Sequence, residues 1–466
     1  MKSFAELIRF KSKIALILDN NKQISYFDLN NQVKNLRKNI KKNSLILILC
    51  NNDLETIAMY LACIKNKTIC LLLEENLNLI HLNRLIKIYK PEYIFCNNKK
   101  KLNNFKKILK YNNKTLFKNK VFKKKEYNSK LSVLLTTSGS TGTPKLAKLS
   151  FENLNSNATS ISKYSSISSS DTMITTLNPA YSFGLSMINS HLLNGAKIIL
   201  NNDSIISKNF FEKMIKFKIS TIGGVPFMYE IFDRLKILEK KNFLRKVLQA
   251  GGPLKIDLQK KFAKICNKKK IKFFIMYGQT EASPRISYLP PKKFSNKIGS
   301  IGIPVPNGKI EIVNQNGDLL TKPFEVGEMI YYGKNVFLGY AQNIKDLEKN
   351  DNGFGKLNTG DLAYRDNDNF FYIVGRKKRI IKLFGKRINL DEIEKIINKS
   401  KIINACISKK EKLIVFVCSK KINSVVTKIL NKDLKLNKIA FEIKHLSKLP
   451  KLSNGKINYM QLHNIP

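Results

Sequence analysis

The sequence lacks any long apolar run. Short ones such as "LILILC" at Leu45–Cys50 fall far below the roughly 20 residues that a bilayer crossing needs, so no membrane span is expected. The opening stretch "MKSFAELIRFKSKIALILDN" is broken by Glu6, Arg9, Lys11 and Lys13. It has neither a clean apolar core nor a small-residue cleavage site, so no signal peptide is expected. Cysteine offers no metal-binding spacing. Cys50, Cys63, Cys70, Cys96, Cys266, Cys406 and Cys418 stand singly, with no Cys-x-x-Cys pair. They read as buried thiols of a reducing compartment, no zinc site follows from them, and a cytoplasmic location is expected.

Arginine is scarce and acidic residues are few, while lysine is abundant, and the formal net charge is +50. An excess of that size can mark a nucleic-acid or membrane-surface binder. The lysines are accompanied by many asparagines and isoleucines and are spread along the whole chain, with only short runs such as "FKKKEY" and "NKKKIK". An AT-biased genome imposes that pattern on any protein, and this reading is preferred to a nucleic-acid surface. Either way the field attracts anionic substrates, and added salt weakens the attraction.

What is present is a chain of 466 residues, 43% of them hydrophobic, long enough for roughly three domain-sized units with a substantial core. Strand-like and helix-like stretches alternate: "SLILILC", "DLETIAMYLACIKN", "TICLLLE", "NLIHLNRLIKIYK", "EYIFCN". The rhythm resumes at "FENLNSNATSISKY", with Ser150 as helix N-cap, then "TMITTL", "GLSMINSHLLNG" and "AKIIL". It implies parallel sheets covered by helices. From about Gly299 to Tyr372 short alternating runs with glycine and asparagine turns suggest an antiparallel β unit. After "GRKKRIIK" a compact α+β module follows, reading helix, strand, strand, helix, strand, with the tail "LPKLSNGKINYMQL".

The stretch "SVLLTTSGSTGTPKLAKLS" (Ser132–Ser150) carries the strongest local chemistry. After the strand end Val133–Leu135, hydroxyls come from Thr136, Thr137, Ser138, Ser140, Thr141 and Thr143. Gly139 and Gly142 let backbone amides turn toward one point, and Lys145 adds a mobile cation. Many small donors and a point charge suit phosphate. The Walker loop is excluded, because Pro144 precedes the lysine, Leu146 follows it, and "KLAKLS" continues as a strand. A solvated Ser/Thr-rich hairpin is the alternative for this string alone.

The string has company. "TSGSTGTPK" resembles the glycine-rich phosphate loop of the adenylate-forming superfamily, the acyl- and aryl-CoA synthetases, peptide-synthetase adenylation domains and luciferases. Further segments resemble that family's motifs in the same order: "QAGGPL", "MYGQTEAS", "NTGDLAYRD", "YIVGRKKRIIKLFGKRINLDEIE" and "LPKLSNGKI". The resemblance runs from about Ile24 to the tail. It implies an α/β protein: a large N-terminal AMP-binding domain (residues 1–377) of parallel sheets flanked by helices plus a β-rich unit, and a small mobile α+β lid (378–466). It implies ATP and Mg2+, a small carboxylic acid substrate, and coenzyme A or a carrier protein's phosphopantetheine as acyl acceptor. The reaction implied is formation of an acyl-adenylate with release of pyrophosphate, then transfer to the thiol.

The same resemblance assigns roles. Thr137, Ser138, Gly139, Ser140, Thr141, Gly142 and Lys145 would hold phosphates. Gly251, Gly252 and Pro253 would line the adenine side, with Tyr277, Gly278 and Gln279, and Tyr277 would stack on the base. Thr280 would meet the α-phosphate and Glu281 would ligate magnesium, in keeping with an acid standing alone in a neutral loop. Asp361, assisted by Arg376, would take the ribose hydroxyls, for which its two oxygens suit. Lys456 would hold the substrate carboxylate against the α-phosphate. Lys378 would sit at the hinge pivot, and Lys382 would face the site in the thioester-forming orientation. Tyr181, Phe183 and Gly184 would border the acid, with Met187 and "GGVPFMYEIF" suggesting an apolar pocket of modest size. In the resemblance Phe151 stands where the family often has histidine, and Tyr181 fills a position where it often has an aromatic residue or histidine, which bears on the acid rather than on ATP. "PAYSFGL" holds no acidic residue, so an α-amino acid substrate is not expected. The combination "YSFGLSMINSHLL", "YGQTEASPRISYLPP" and "KLFGKRINLDEIE" resembles a bacterial subgroup associated with surface-polysaccharide or secondary pathways.

Two other classes compete. A basic nucleic-acid-binding protein rests on charge alone, with no helix-turn-helix, zinc or aromatic–basic pattern, so no specific nucleic acid is expected. An adenylate-binding pseudoenzyme is opposed by the presence of Lys145, Glu281, Asp361 and Lys456.

Overall fold

The computed structural model describes residues 2–97, 102, 104–122, 125–137, 145–349, 353, 355–383, 386–409, 412–433, 436, 438–451 and 455–465, except for the side chains at 380, 382, 383, 386, 387, 432, 433 and 439. The chain divides into two compact units. One comprises residues 2–137, 145–309 and 332–357, the other residues 310–331 and 358–465.

In the first unit the expected alternation builds two large sheets. The eight-stranded sheet runs Tyr340–Ala341, Leu146–Ser150, Leu131–Thr136, Ile69–Glu74, Leu45–Cys50, Tyr93–Asn97, Lys114–Asn119, Phe105–Tyr111. Its centre, from Leu131–Thr136 to Tyr93–Asn97, is parallel. Every residue of Leu45–Cys50 is buried, as befits a strand with both faces covered. The nine-stranded sheet runs Ile303–Pro304, Arg285–Leu289, Lys272–Gly278, Lys246–Gln249, Thr221–Gly224, Thr172–Ile174, Lys197–Ile199, Ile14–Ile17, Gln23–Ser25. It is parallel from Lys272–Gly278 through Ile14–Ile17.

The sheet edges depart from the sequence expectation. Antiparallel strands close both sides of each large sheet. The unit expected from Gly299 to Tyr372 is also shared out, because Ile303–Pro304 and Tyr340–Ala341 pair into the two large sheets. Only Lys309–Val313, Gly327–Tyr332, Lys356–Arg365 and Phe371–Arg376 form a four-stranded sheet of their own. Short edge pairs are worth little alone, and backbone groups exposed at a sheet edge recruit any strand that topology brings near.

Helix ends follow the sequence signals. The Asp53 side chain accepts from Thr56 N at 2.7 Å at the start of Leu54–Asn66, and Ser150 and Asn153 form a capping box at the start of Phe151–Ser165. Helix Ser182–Leu193 is buried at every residue, and its Ser186 and Ser190 hydroxyls are satisfied by donating to the Phe183 and Met187 carbonyls of the same helix. Its Asn189 Nδ2 donates to the Tyr60 hydroxyl of Leu54–Asn66 at 3.0 Å.

Lysine enters this interior only with partners. Lys114 lies 3.2 Å from Asp53 and 2.9 Å from Glu75, Lys246 pairs with Asp171 at 2.5 Å, and Lys213 pairs with Asp19 and Asp203 at 2.6 and 2.7 Å. Lys148 Nζ donates to the carbonyls of Asp346 and Lys349 at 2.9 and 3.1 Å. All seven cysteines are free, and all but Cys418 are buried, so the expected burial fails at that one exposed thiol. No helix among the described residues is long and apolar enough to cross a membrane.

The second unit contains the four-stranded sheet and the C-terminal module. Helix Leu390–Lys399 presents Leu390, Ile393 and Ile397 to Cys406, Leu413, Val415 and Val417. Alternate residues of the same strands, Ala405, Ile407, Ile414 and Phe416, pack against Leu449 and Leu462 of the tail. The period of two in "INACISK" and "KLIVFVCS" thus covers both faces. Strands Asn404–Lys409 and Lys412–Val417 are antiparallel, and Phe441–His445 joins in parallel. The helix expected over "NSVVTKILNKDL" is α-helical at Asn423–Lys428 and continues as a π-helix over Ile429–Asp433.

One buried group tests the core. His191 Nδ1 lies 2.7 Å from the Met187 carbonyl, and Nε2 has no partner. Burial pushes its pKa down to about 4 from 6.5, with the Met187 carbonyl and Asp171 opposing and Lys246 assisting. Between those values the native state binds fewer protons than the unfolded chain. The stability present above pH 6.5 is therefore lost as the pH falls toward 4, by up to about 3 kcal/mol. Melting temperature should fall more steeply over that range in the wild type than in His191→Leu. Parallel pH profiles would contradict a buried neutral imidazole.

Candidate active site

Parallel strands aim their carboxyl ends, and the loops that leave them, at one edge of the sheet. In the nine-stranded sheet, Thr172–Ile174, Thr221–Gly224, Lys246–Gln249 and Lys272–Gly278 run parallel to one another. Their following loops carry Tyr181, Val225, Gly251–Pro253 and Gln279–Glu281. Gly251 has φ +89°, a conformation that favours glycine, and the Tyr181 hydroxyl lies 2.8 Å from where a Cβ would stand. Gln249 Nε2 closes the same loop by donating to the Gly252 carbonyl at 2.8 Å. Pro226 packs beside Gly252.

From there a line of contacts joins residues far apart in sequence. Helix Ser182–Leu193 begins just after Tyr181, and Ser182 Oγ lies 3.2 Å from Thr280 Oγ1. Gly184 sits in its first turn, where a Cβ would come within 2.5 Å of the Asn178 carbonyl oxygen. This contact gives Gly184 a packing reason of its own. Gln279 Nε2 donates to the Tyr277 hydroxyl at 3.1 Å. The Tyr340 hydroxyl donates to Glu281 Oε1 at 2.7 Å, and Lys145 Nζ lies over the Tyr340 ring, 5.6 Å from its centroid. Burial, then the Glu281 charge, raises the Tyr340 pKa and keeps the phenol a donor. Thr137 N and Oγ1 both bond the Lys145 carbonyl, at 3.1 and 3.0 Å, tying together the two described ends of the Ser/Thr loop. Ser138, Gly139, Ser140, Thr141 and Gly142 lie outside the described residues.

Lys145, Glu281, Thr280, Tyr181 and Gly251 thus form one neighbourhood, joined through Ser182 and Tyr340. A cation, a carboxylate and small hydroxyls beside helix and strand ends can hold a polyphosphate. Among the described residues no three His, Cys, Asp or Glu side chains cluster as a metal cage. A lone Glu281 fits magnesium, which takes one or two carboxylates and otherwise phosphate and water oxygens. Sequence reasoning missed Tyr340, whose signal lay in "FLGYAQN". It also gave no role to Arg285, fully buried with its guanidinium 4.1 Å from the Phe183 ring centroid.

The cavity bordered by Gly184, Met187, Gly223 and Thr176 measures only about 10 Å³. A larger cleft of about 550 Å³ is lined by Asp19, Asn52, Asp53, Glu75 and Lys114 among others, and by none of the residues assigned to nucleotide or acid. Of the assigned residues, Lys145, Thr280, Glu281, Tyr181 and Gly251 gather instead near the strand ends.

The second unit holds its own assigned group. Asp361 and Arg376 face each other across the antiparallel pair Lys356–Arg365 and Phe371–Arg376, with Arg376 Nε 3.1 Å from Asp361 Oδ1. Asp361 N donates to Thr359 Oγ1, whose hydroxyl donates to the Met329 carbonyl. Beside this pair, Arg376 N donates to Asp391 Oδ2 at 3.0 Å, while Arg379 binds Asp391 and Glu394. The Arg379 guanidinium lies 4.1 Å from the Tyr459 ring centroid, and the Tyr459 hydroxyl donates to Glu394. Lys378 is exposed. Lys382 pairs with Arg387 in a two-stranded ribbon, and its side chain lies outside the described residues. Lys456 is partly buried in a turn closed by the Lys451–Ile457 bridge, with Gly455 at φ +80°.

The Tyr340 contact carries a prediction. If Tyr340 orients the Glu281 carboxylate, Tyr340→Phe should raise the magnesium concentration needed for half-maximal ATP binding about tenfold, as loss of an outer-shell partner does. Magnesium titrations of ATP binding that superimpose for wild type and variant would contradict that role.

Comparison with known proteins identifies the family. The family model described as AMP-binding enzyme matches residues 5–341. The 2-succinylbenzoate–CoA ligase of Bacillus subtilis (strain 168) is 28% identical over 271 residues, 57% of this chain and 53% of that protein. That of Bacillus cereus (strain AH820) is 28% identical over 266 residues, with the same shares of 57% and 53%. The chain thus spans about half the length of the curated relatives it matches. Among solved structures, o-succinylbenzoate coenzyme A synthetase from Bacillus subtilis in complex with AMP superposes with a TM-score of 0.79 at 21% identity, covering 100% of this chain and 98% of that one. ATP-bound MatB from Rhodopseudomonas palustris gives 0.76 at 19% identity, covering 98% and 97%. These two share the fold, and the family match extends over most of the chain: it belongs to the AMP-binding enzyme family.

Proposed function

We propose that this chain is an AMP-forming acid–thiol ligase, which activates a small carboxylic acid with ATP and passes the acyl group to coenzyme A in the cytoplasm. The observation that carries the reading is the convergence of Lys145, Thr280, Glu281, Tyr181 and Gly251 at the carboxyl ends of parallel strands. Membership of the AMP-binding enzyme family supports it, as does likeness to 2-succinylbenzoate–CoA ligases. The related synthetase from Bacillus subtilis has been solved with ATP and magnesium ion.

In the first step a carboxylate oxygen attacks the α-phosphorus, an O–P bond forms, and the bond to the bridging oxygen of pyrophosphate breaks. Two anions must meet, so the protein's task is charge neutralisation and positioning. Lys145 and the loop hydroxyls take the outer phosphates, Thr280 the α-phosphate, and Asp361 with Arg376 the ribose. Glu281 would hold magnesium, which when bound would supply charge neutralisation on the phosphates. Lys456 holds the acid carboxylate against phosphorus. In the second step the thiol attacks the acyl carbon and AMP leaves, with Lys382 presented by a rotated C-terminal module. The nearly closed space beside Gly184 and Met187 and the lack of an acidic side chain in "PAYSFGL" favour a compact acid without an α-ammonium group.

Two variants separate the half-reactions. Lys456→Ala should lower ATP–pyrophosphate exchange by roughly 10²–10³, as loss of a single transition-state donor does. Near-normal exchange would refute its assignment. Lys382→Ala should spare exchange and slow thioester formation, and equal loss of both steps would count against domain alternation. The direct test of the reading is exchange screened across aliphatic, aryl and hydroxy acids, beginning with 2-succinylbenzoate, then repeated with coenzyme A and with a phosphopantetheinylated carrier protein. Exchange with no acid would defeat the reading, and transfer to the carrier alone would replace coenzyme A as acceptor.

A further inference from the structure

Arg285 is left unused by the chemistry above. Its side chain is fully buried, at 1% exposure. It follows the Gln279–Glu281 loop and stands opposite Gly278 in the antiparallel pair of Lys272–Gly278 and Arg285–Leu289. Asn335 Nδ2 fixes its backbone by donating to the Arg285 carbonyl at 2.8 Å and to the Ala282 carbonyl at 2.6 Å. The guanidinium lies on the Phe183 ring, its Nε donates to Met276 Sδ at 3.3 Å, and its Nη2 has no hydrogen-bond partner.

That leaves a charge without a counter-ion. The buried lysines Lys114, Lys213 and Lys246 each face a carboxylate. Among the described residues, none pairs with Arg285. Burial lowers its pKa, and the neighbouring phenols of Tyr164 and Tyr181 offset part of that effect, yet an arginine stays protonated. A buried cation with an idle donor costs stability unless an anion arrives to use it. The location says which anion. Phe183 and Tyr181 are the residues assigned to the acid, Tyr181 reaches Gly251, and Ser182 touches Thr280. Beyond Phe183, toward Met187 and Gly223, the cavity of about 10 Å³ gives an aliphatic tail no room.

Resting on the ligase reading, we propose that Arg285 binds a second carboxylate at the far end of the acid, so that the substrates are dicarboxylic acids. The planar fork of the guanidinium matches a carboxylate. The reacting carboxylate would then face the α-phosphorus, and the distal one would lie on the Arg285 guanidinium.

The test compares malonate, succinate, glutarate, adipate and phthalate with their half-methyl esters, using wild type, Arg285→Met and Arg285→Lys. Two readouts are taken: ATP–pyrophosphate exchange, and thermal stabilisation by each acid with AMP present. At least one diacid should exceed its half-ester tenfold or more in kcat/KM. Arg285→Met should erase that preference to within twofold, Arg285→Lys should retain part of it, and half-saturation by ATP should stay within twofold in both variants. The unliganded Arg285→Met protein should melt at or above the wild-type temperature, because an apolar isostere relieves the uncompensated charge. Wild-type exchange that accepts half-esters as well as diacids, or a preference that survives Arg285→Met, overturns the proposal and leaves the ligase reading standing. Absence of exchange with every acid, while a diacid still raises the melting temperature of wild type but not of Arg285→Met, overturns the ligase reading and keeps the diacid site. No response to any diacid in either readout overturns the proposal.

Discussion

The parallel pairing of four short strands is the constraint on which the site depends. Because Thr172–Ile174, Thr221–Gly224, Lys246–Gln249 and Lys272–Gly278 all run in the same direction, the loops after them emerge at one edge. Residues more than a hundred positions apart are delivered there without any long-range motif. The eight-stranded sheet supplies the rest: Leu131–Thr136 and Leu146–Ser150 flank the Ser/Thr loop, and Tyr340–Ala341 extends the same sheet beyond Leu146 and Ala147. This edge pairing sets Tyr340 between Lys145 and Glu281. A short antiparallel strand at a sheet edge, weak by itself, thus places one tyrosine in contact with both a cation and a carboxylate.

Charge is managed differently inside the molecule and on its surface. With a formal net charge of +50, the exterior attracts phosphate-bearing molecules at a distance, an effect that salt screens. Inside, each buried lysine among the described residues is matched, by carboxylates at Lys114, Lys213 and Lys246 and by backbone carbonyls at Lys148. Such pairs are costly to break, because removing one partner strands the other charge. Against that background the Arg285 guanidinium, lying on the Phe183 ring with its Nη2 unpartnered, is an exception.

Much of the fold was legible because its core strands and helices are locally consistent. "LILILC" reads as a strand covered on both faces, and Asp53 and Ser150 announce helix starts that the structure keeps. The edges were not legible. Phe105–Tyr111 is lysine-rich and largely outside the core, so its pattern resembles a solvated loop, while Lys114–Asn119 is mostly buried despite its lysines, and pairing partners of an edge strand depend on topology rather than on local sequence. In the site, residues within a motif could be assigned one by one, as with Glu281 and Asp361. Tyr340 and Arg285 could not, because a tyrosine and an arginine carry no signal of burial or partner until the backbone places them. Gly184 shows the converse: the sequence offered it to the substrate, while the structure finds a carbonyl against its α-carbon.

The central claim is that an acid oxygen becomes bonded to the α-phosphorus of ATP. Turnover of an acid labelled with 18O in its carboxylates, in the presence of ATP, magnesium and coenzyme A, reads this directly by mass spectrometry of the nucleotide product. The account predicts AMP carrying one 18O, because the oxygen that bridges acyl carbon and phosphorus stays with phosphorus when the thiol displaces it. Unlabelled AMP, or label appearing in inorganic phosphate beside ADP, would contradict it.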